Sequence, residues 1–230
     1  MALGLHWPAR TPAPDERLLD GRPCPPLPDF AELRAAHPDG FDLIMADPPW
    51  PSRYWSGSGA GRGPEAHYDC MPWEWIAALP VARLAARDCV LWLWGRNPQA
   101  HLFHEVAQGW GFRVSTYGTW VKCTPGWVPN MLMPKLAFGG GKVLRSACEP
   151  YLIARRGHGP LRNSRRERGA FHAARREHSR KPDEAYAKAE RLFPHHTRRL
   201  DLFSRERRPG RTSWGLESGK FDTPAPGAAA

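Results

Sequence analysis

A largely apolar run that ends at two consecutive prolines constrains the fold of this chain more than any other feature. The run, Phe41 to Ala46, has the length and content of a buried strand, and the prolines end it. The tetrapeptide Asp47-Pro48-Pro49-Trp50 therefore lies at the carboxyl end of a strand, where open α/β sheets bind ligands. This set suits a flat base with an exocyclic amino group. Asp47 and a proline carbonyl can accept the amine protons, and Trp50 can stack on the ring.

Strand-like and helix-like segments alternate along the rest of the chain. The pattern predicts further strands at 89–94, 112–122, 150–154 and 199–203, and helices at 72–86, 98–108 and 182–192, the first of them interrupted by Pro80. This alternation predicts an α/β fold with a mostly parallel sheet and helices on both faces. A chain of 230 residues with 41% hydrophobic residues has room for one such core. We expect a single domain over 27–220, between a flexible proline-rich arm (1–26) and a disordered tail (221–230).

Composition narrows the function classes. The net charge of +10 favours a polyanionic partner such as nucleic acid. The five scattered cysteines form no CxxC pair and the ten histidines show no ligand spacing, so we expect reduced thiols and no metal site. No apolar stretch approaches the roughly 20 residues that span a membrane, and the start has no signal-peptide core. We expect a cytoplasmic protein, nucleoid-associated if bacterial, with no membrane partner.

The segment 155–181 carries much of the positive charge, with ten Arg or Lys residues against two Glu. One interpretation is a solvated loop. The other is a loop that contacts nucleic-acid phosphates over the mouth of a site. Its position between a predicted strand and a predicted helix favours the second, with Arg165, Arg166 and Arg168 as candidate substrate-binding residues.

Taken together, the motifs of this chain resemble one known family, the adenine-N6 methyltransferases of the MT-A type. These are related to the human messenger-RNA adenosine methyltransferase and include bacterial and phage members. The resemblance runs from about residue 29 to 217, and its motifs follow the family's order. They are the Asp47 tetrapeptide, Tyr68-Asp69-Cys70-Met71, Leu91-Trp92-Leu93-Trp94, Trp120-Val121-Lys122, Ser179-Arg180-Lys181-Pro182-Asp183-Glu184 and Leu202-Phe203-Ser204-Arg205.

The resemblance implies a single-domain, Rossmann-like methyltransferase that uses S-adenosyl-L-methionine, with its motifs in circularly permuted order. Permutation would explain why no G-x-G-x-x-G loop opens the sequence. The run Gly139-Gly140-Gly141 lies before a predicted strand rather than between a strand and a helix. It therefore favours a mobile active-site loop over a nucleotide cradle. The implied catalytic residues are Asp47, Pro48, Pro49 and Trp50, and Tyr68 would help to clamp the base.

Cofactor-binding residues carry over from the same resemblance. Asp29, eighteen positions before Asp47, matches the acid that accepts from the cofactor adenine, with Phe30 beside it. An N-terminal helix cap is the alternative for Asp29. Lys181 matches the lysine that meets the methionine carboxylate, and Asp47 would also face the cofactor. The implied ribose contacts are Arg205, Arg207, Arg208 and Glu217.

The ribose site also departs from the family pattern. Arg207 and Arg208 stand where the human member has His-Asn, and surface phosphate binding is the alternative role for them. Leu216 replaces the usual asparagine, so Glu217 is expected to take the hydroxyls.

The implied reaction is methyl transfer to the N6 amino group of adenine in nucleic acid. DNA is favoured over RNA because the chain has the compact form of the bacterial members. Three alternatives stay open: a non-catalytic nucleic-acid-binding subunit of a heteromer, an RNA adenine methyltransferase, and a methyltransferase acting on a cytosine amino group or a small molecule. A homodimer or heterodimer also stays open.

Overall fold

The computed structural model describes residues 17–18, 21–51, 69–129, 134–141, 143–158, 166–177 and 180–222. Within these ranges the strands are β1 (Phe41–Ala46), β2 (Ala85–Trp94), β3 (Arg113–Cys123), β4 (Cys148–Arg156), β5 (Ala170–Ala174), β6 (Arg199–Leu202) and β7 (Thr212–Trp214). The α-helices are α1 (Ala31–Ala36), α2 (Trp73–Ala78), α3 (Phe103–Gly109) and α4 (Asp183–Leu192). Short 3-10 helices cover Val81–Arg83 and Asn97–Leu102.

The seven strands form one sheet in the order β5-β3-β4-β2-β1-β6-β7. Strand β4 runs antiparallel to β2 and β3, and every other neighbouring pair is parallel. The predicted α/β class with a mostly parallel sheet is therefore confirmed. At the carboxyl end of β1, Ala46 pairs with Leu93 of β2 and with Leu202 of β6. Asp47, the residue that follows β1, therefore lies between the carboxyl ends of β2 and β6.

Two hydrophobic layers cover the sheet, one on each face. Ile44 of β1 belongs to the layer that contains Ile76 of α2 and Phe103 of α3. Its neighbour Leu43 points to the other face, into the layer that contains Ala185 of α4. Both faces of β1 are buried, as is typical of a parallel strand between helical layers, and this explains its nearly continuous apolar sequence.

Four details differ from the sequence prediction. The predicted helix 72–86 does break at Pro80, but its last two residues belong to β2, which begins at Ala85. Helix α1 and strand β7 were not predicted. The basic segment 155–181 is not loop throughout, since β5 lies within it and pairs parallel with β3. Strand β5 (sequence AFHAA) buries only Ala173, so it lacks the apolar alternation that would have revealed it.

Hydrogen bonds extend past both expected domain boundaries. The indole N–H of Trp75 donates to the Pro25 carbonyl at 2.8 Å. The Phe221 amide donates to the Arg205 carbonyl at 3.0 Å. Most of the expected arm and tail lies outside the described residues. Among the described helices, none is both long and apolar enough to cross a membrane.

Candidate active site

The Asp47 tetrapeptide leaves the carboxyl end of β1 through a tight turn. The Asp47 amide donates to the Leu202 carbonyl at 3.1 Å, which continues the pairing of β1 with β6. After it, the Trp50 amide donates to the Pro48 carbonyl and the Met71 amide to the Pro49 carbonyl, each at 2.8 Å. The prolines have no N–H to donate, and their carbonyl oxygens accept the two hydrogen bonds that fix this turn. A carbonyl oxygen has two lone pairs, so the Pro48 oxygen keeps one acceptor position.

Lys181 lies between two carboxylates in the cleft beside this turn. Its Nζ is 2.5 Å from Asp47 Oδ2 and 2.8 Å from Glu149 Oε1. The second carboxylate oxygen of Glu149 forms an ion pair with Lys122 Nζ at 2.6 Å. The four side chains therefore form an alternating row of two carboxylates and two ammonium groups. Only 8% of Lys181 is exposed, and the two carboxylates compensate the charge of this buried lysine.

Four different chain segments deliver these groups to one edge of the sheet, with Asp47 directly after β1. Lys122 is near the end of β3 and Glu149 near the start of β4, and the antiparallel pairing of these strands places both at the edge where β1 ends. Lys181 directly precedes Pro182, the N-cap of α4. Sequence reasoning had singled out Asp47 and Lys181 but missed Glu149. The only available signal was a lone acid directly before the apolar run of the predicted strand 150–154.

The pKa values of this row diverge. Burial raises the pKa of Asp47, against the opposing effect of the Lys181 charge. Burial also acts to raise the pKa of Glu149, but Lys122 and Lys181 outweigh it and hold that pKa at about 2. Burial would lower the pKa of Lys181, yet Asp47 and Glu149 together raise it. Lys181 and Glu149 are therefore charged at neutral pH, and Asp47 is the more basic of the two carboxylates.

The cleft has a cavity volume of about 30 Å³, room for roughly one water molecule in this conformation. Three of the predicted site residues line it: Asp47, Lys181 and Arg205. Residues that the sequence had not marked for this role contribute three rings and further charges. They are Trp94, Tyr186, Phe203, Arg180, Asp201 and Glu206.

A cluster of ion pairs joins the two chain segments that border the cleft. Glu206 accepts from Arg180 at 2.5 Å and from Arg208 at 2.7 Å. Arg208 also pairs with Asp183 at 2.6 Å, and its guanidinium lies 3.8 Å from the ring centroid of Tyr186. Arg208 thus contacts two residues of the cleft without lining it, and its role as a cofactor ligand stays a prediction. These contacts tie the start of α4 to the turn after β6.

The other predicted ribose residues separate into two groups. Arg205 pairs with Glu217 at 2.7 Å, so the structure brings these two together. Leu216, between Gly215 and Glu217, is fully exposed. The Arg207 side chain is 70% exposed and pairs with Asp222 away from the cleft. Arg207 does not line the cleft, and both its cofactor contact and its alternative role in phosphate binding stay predictions.

Asp29 and Phe30 sit at the far end of a chain of aromatic rings. One carboxylate oxygen of exposed Asp29 accepts from the Ala31 amide at 2.9 Å, but the N-cap of α1 is Phe30, so Asp29 is not the helix cap of the alternative prediction. Phe30 is buried and packs edge-on against Trp214, with ring centroids 5.0 Å apart. Trp214 in turn contacts Phe203 of the cleft at 5.4 Å. Asp29 does not line the cleft in this conformation, and its role towards the cofactor stays a prediction.

The expectation that Trp50 stacks on a substrate base needs correction. Trp50 is 2% exposed, and its ring packs 5.3 Å from that of Phe103 in the core. Its indole N–H donates to the Trp94 carbonyl at 2.9 Å. Trp50 therefore supports the strand end from beneath and offers no free ring face. Trp94 is among the residues that border the cleft, with its ring centroid 5.5 Å from Lys181 Nζ, but it is only 1% exposed and likewise offers no free ring face.

The remaining predicted substrate residues are only partly described. Tyr68 and Arg165 lie outside the described residues. Arg166 and Arg168 are exposed and do not line the cleft. Glu167 between them pairs with Lys188 and Arg191 of α4, at 3.0 and 2.7 Å. The loop is therefore anchored to α4 while its two arginines face solvent, where phosphate contact stays a prediction.

The model of the MT-A70 family matches residues 41–217, which include the whole row of charged residues. An Arabidopsis thaliana protein named N(6)-adenosine-methyltransferase MT-A70-like is 31% identical over 72% of this chain and 22% of its own length. The type II methyltransferase M.MunI of Mycoplasma sp is 26% identical over 70% of the chain and 64% of its own length. The N6-methyladenosine RNA methyltransferase MTA1 of Cryphonectria parasitica is 29% identical over 83% and 55%. The chain spans between about a fifth and two thirds of these relatives. It belongs to the MT-A70 family.

Proposed function

We propose that the protein transfers a methyl group from S-adenosylmethionine to the N6 amino group of adenine in nucleic acid, with DNA as the favoured substrate. The observation that carries this proposal is the row Asp47–Lys181–Glu149 in a cleft at the carboxyl end of β1. The raised pKa of the Asp47 carboxylate suits it to accept protons from an amino group. The ammonium group of the buried Lys181 can pair with an anionic group. The order of these motifs along the chain, with the tetrapeptide strand first, also supports a circularly permuted Rossmann-like arrangement.

The residues of the cleft fit S-adenosylmethionine chemically. Lys181 and Arg205 would hold its carboxylate and ribose ends, and the carboxylates of the cleft suit a sulfonium and sugar hydroxyls. The ring of Phe203, which is partly exposed, provides flat apolar surface. The cofactor supplies an electrophilic methyl group on a cationic sulfur. The ion pair of Arg180 and Glu206 also lines the cleft, so these two side chains would face the bound cofactor.

Asp47 and Pro48 would orient the amino group of the target base. The lone pair of that nitrogen is delocalised into the ring, so hydrogen bonds from both amino protons, to Asp47 and to the Pro48 carbonyl, favour a pyramidal nitrogen. The new N–C bond forms as the C–S bond breaks, and the surplus proton leaves the nitrogen through Asp47. Burial raises the pKa of Asp47 and so increases its basicity. Most of the acceleration comes from orientation, which can supply roughly 7–11 kcal/mol.

DNA is placed before RNA because the chain covers 64% of the type II methyltransferase M.MunI and only 22% of the plant adenosine methyltransferase. The likeness to MTA1, named as an RNA methyltransferase, keeps RNA as the second candidate. A duplex adenine would have to be flipped out of the stack, whereas a single-stranded adenine enters directly. A non-catalytic role is disfavoured because Asp47 and Lys181 meet in one cleft.

Methylation assays on matched DNA and RNA oligonucleotides test the proposal directly. With isotope-labelled cofactor and nucleoside mass spectrometry, we expect N6-methyladenine in DNA. Asp47→Ala should abolish it, while Asp39→Ala should not, because Asp39 is an exposed residue in the turn before β1, at the other end of the strand. Full activity of Asp47→Ala would overturn the mechanism. Label on cytosine would overturn the proposed base, and nucleic-acid binding without cofactor binding by calorimetry would favour a non-catalytic subunit.

A further inference from the structure

The loop of residues 134–147, between β3 and β4, leaves the sheet at the same edge as Asp47, since β3 runs in the same direction as β1. The Ala137 amide donates to the Lys122 carbonyl at 2.7 Å, and the Lys122 amide donates to the Ala147 carbonyl at 2.8 Å. Lys122 is the residue whose ammonium group pairs with Glu149. The base of the 134–147 loop is therefore fixed to the row of charged residues in the active site.

Described residues in the outer part of the 134–147 loop also form hydrogen bonds with one another. The Gly139 amide donates to the Ser146 carbonyl at 2.9 Å, and the Ser146 amide donates to the Gly140 carbonyl at 3.1 Å. A side chain at Gly141 would collide with the Leu144 carbonyl, so the tip requires glycine there. These backbone hydrogen bonds therefore hold the loop in a turn, and the side chains next to the bonded residues point outward.

Those side chains are apolar, exposed and accompanied by positive charge. Phe138 is 72% exposed, Val143 89% and Leu144 83%, whereas most other large apolar residues that the structure describes are buried. The guanidinium of Arg145 lies 4.5 Å from the ring centroid of Phe138. The sequence of the loop contains Lys135, Lys142 and Arg145 and no acidic residue. An aromatic ring beside cations, without any carboxylate, complements nucleic acid rather than an average protein surface.

From this placement we infer that the 134–147 loop binds the nucleic-acid strand beside the target base. Phe138 stacks on a base next to the target, and Arg145 and Lys135 contact the phosphates around it. Strand β4 is two positions from β1 in the sheet, a separation on the order of 10 Å, so the loop reaches nucleotides close to the methylated one. The inference rests on the proposed function, because it takes the same nucleic acid as the substrate.

Fluorescence anisotropy with a labelled single-stranded, adenine-containing oligonucleotide tests this contact. We expect Phe138→Ala to weaken binding roughly 5- to 100-fold, the range of one lost base–aromatic stack. Phe138→Trp should bind like the wild type, and Arg145→Gln should reduce the slope of log affinity against log salt by about 1. The matched control is Tyr117→Ala, an aromatic residue 51% exposed on β3 and outside the loop. Cofactor affinity by calorimetry should stay unchanged in all four variants.

Two outcomes would overturn the inference. One is wild-type affinity and wild-type salt dependence in Phe138→Ala and Arg145→Gln. The other is a change of oligomeric state in Phe138→Ala, measured by light scattering, with no change in oligonucleotide affinity, which would assign the loop to a protein interface. The proposed function can fail separately from this inference. If the wild-type protein binds the oligonucleotide through Phe138 but never methylates it, the proposed function is rejected and the loop contact is kept. Methylation by protein that gives the first of the two outcomes above leaves only the proposed function standing.

Discussion

Lys181 Nζ lies 2.5 Å from Asp47 Oδ2, although the two residues are 134 positions apart in the sequence. The contact joins the end of β1 to the residue before the N-cap of α4. Glu149 Oε1 lies 2.8 Å from the same ammonium nitrogen. A buried lysine is tolerated here because two carboxylates face it. The charges that the proposed reaction needs are thus in position before any ligand binds.

Replacing Lys181 by Met should cost both stability and cofactor binding. Without the ammonium group, Asp47 and Glu149 are left as partly buried carboxylates that face each other, and breaking such a pair costs about 3–5 kcal/mol. Urea unfolding at pH 7 and calorimetry with S-adenosylmethionine measure the two effects. Lys188→Met is the matched control: Lys188 is equally buried and pairs with Glu167 outside the cleft, so it should lower stability and keep cofactor affinity. Unchanged cofactor affinity in Lys181→Met would refute the assigned role.

Glu149→Gln should move the acid limb of the kcat/KM profile to lower pH. Burial is the main reason that the pKa of Asp47 is raised, and the negative charge of Glu149 raises it further, while Lys181 lowers it. Glutamine removes that charge and leaves Lys181 to Asp47 alone, so the pKa of Asp47 falls. The base then becomes protonated only at lower pH, and activity persists further into acid. An acid limb that stays in place or moves to higher pH would contradict Asp47 as the proton acceptor.

The sequence predicted the part of this site that depends on local pattern. Asp47 could be placed at a strand end because β1 is apolar on both faces and stops at prolines. Glu149 could not be placed, because its approach to Lys181 depends on β4 running antiparallel beside β2, which no local pattern encodes. The sequence also could not tell whether the Trp50 ring faces the cleft. That depends on how the turn after Pro49 rotates, and the structure buries Trp50.

Trp50 should behave as a core residue. Trp50→Ala removes a buried indole and should cost about 3–5 kcal/mol of unfolding free energy. Trp50→Phe keeps most of the packing and loses the hydrogen bond to the Trp94 carbonyl, a loss of about 1 kcal/mol. Thermal unfolding measures both, and methyl transfer should survive in the phenylalanine variant. A fully folded Trp50→Phe protein without activity would return the indole to a direct role on the base.

Glu167 should stabilise the fold only above acidic pH. The hydrogen bond from Arg191 is the main cause that lowers its pKa from the ordinary 4.5 to about 2, with Lys188 adding to it. A carboxyl group whose pKa is lower in the folded state contributes its stability above the unfolded pKa and loses it as the pH falls from about 4.5 to about 2. This lowering of the pKa corresponds to a contribution of at most about 3 kcal/mol to the free energy of unfolding at neutral pH.

Glu167→Gln should therefore be clearly less stable than the wild type in urea at pH 7, and the difference in unfolding free energy should shrink as the pH falls towards 2. Glu32→Gln, an exposed acid on α1, should match the wild type throughout. A gap for Glu167→Gln that is the same at every pH would mean that the side chain acts through packing rather than through its charge.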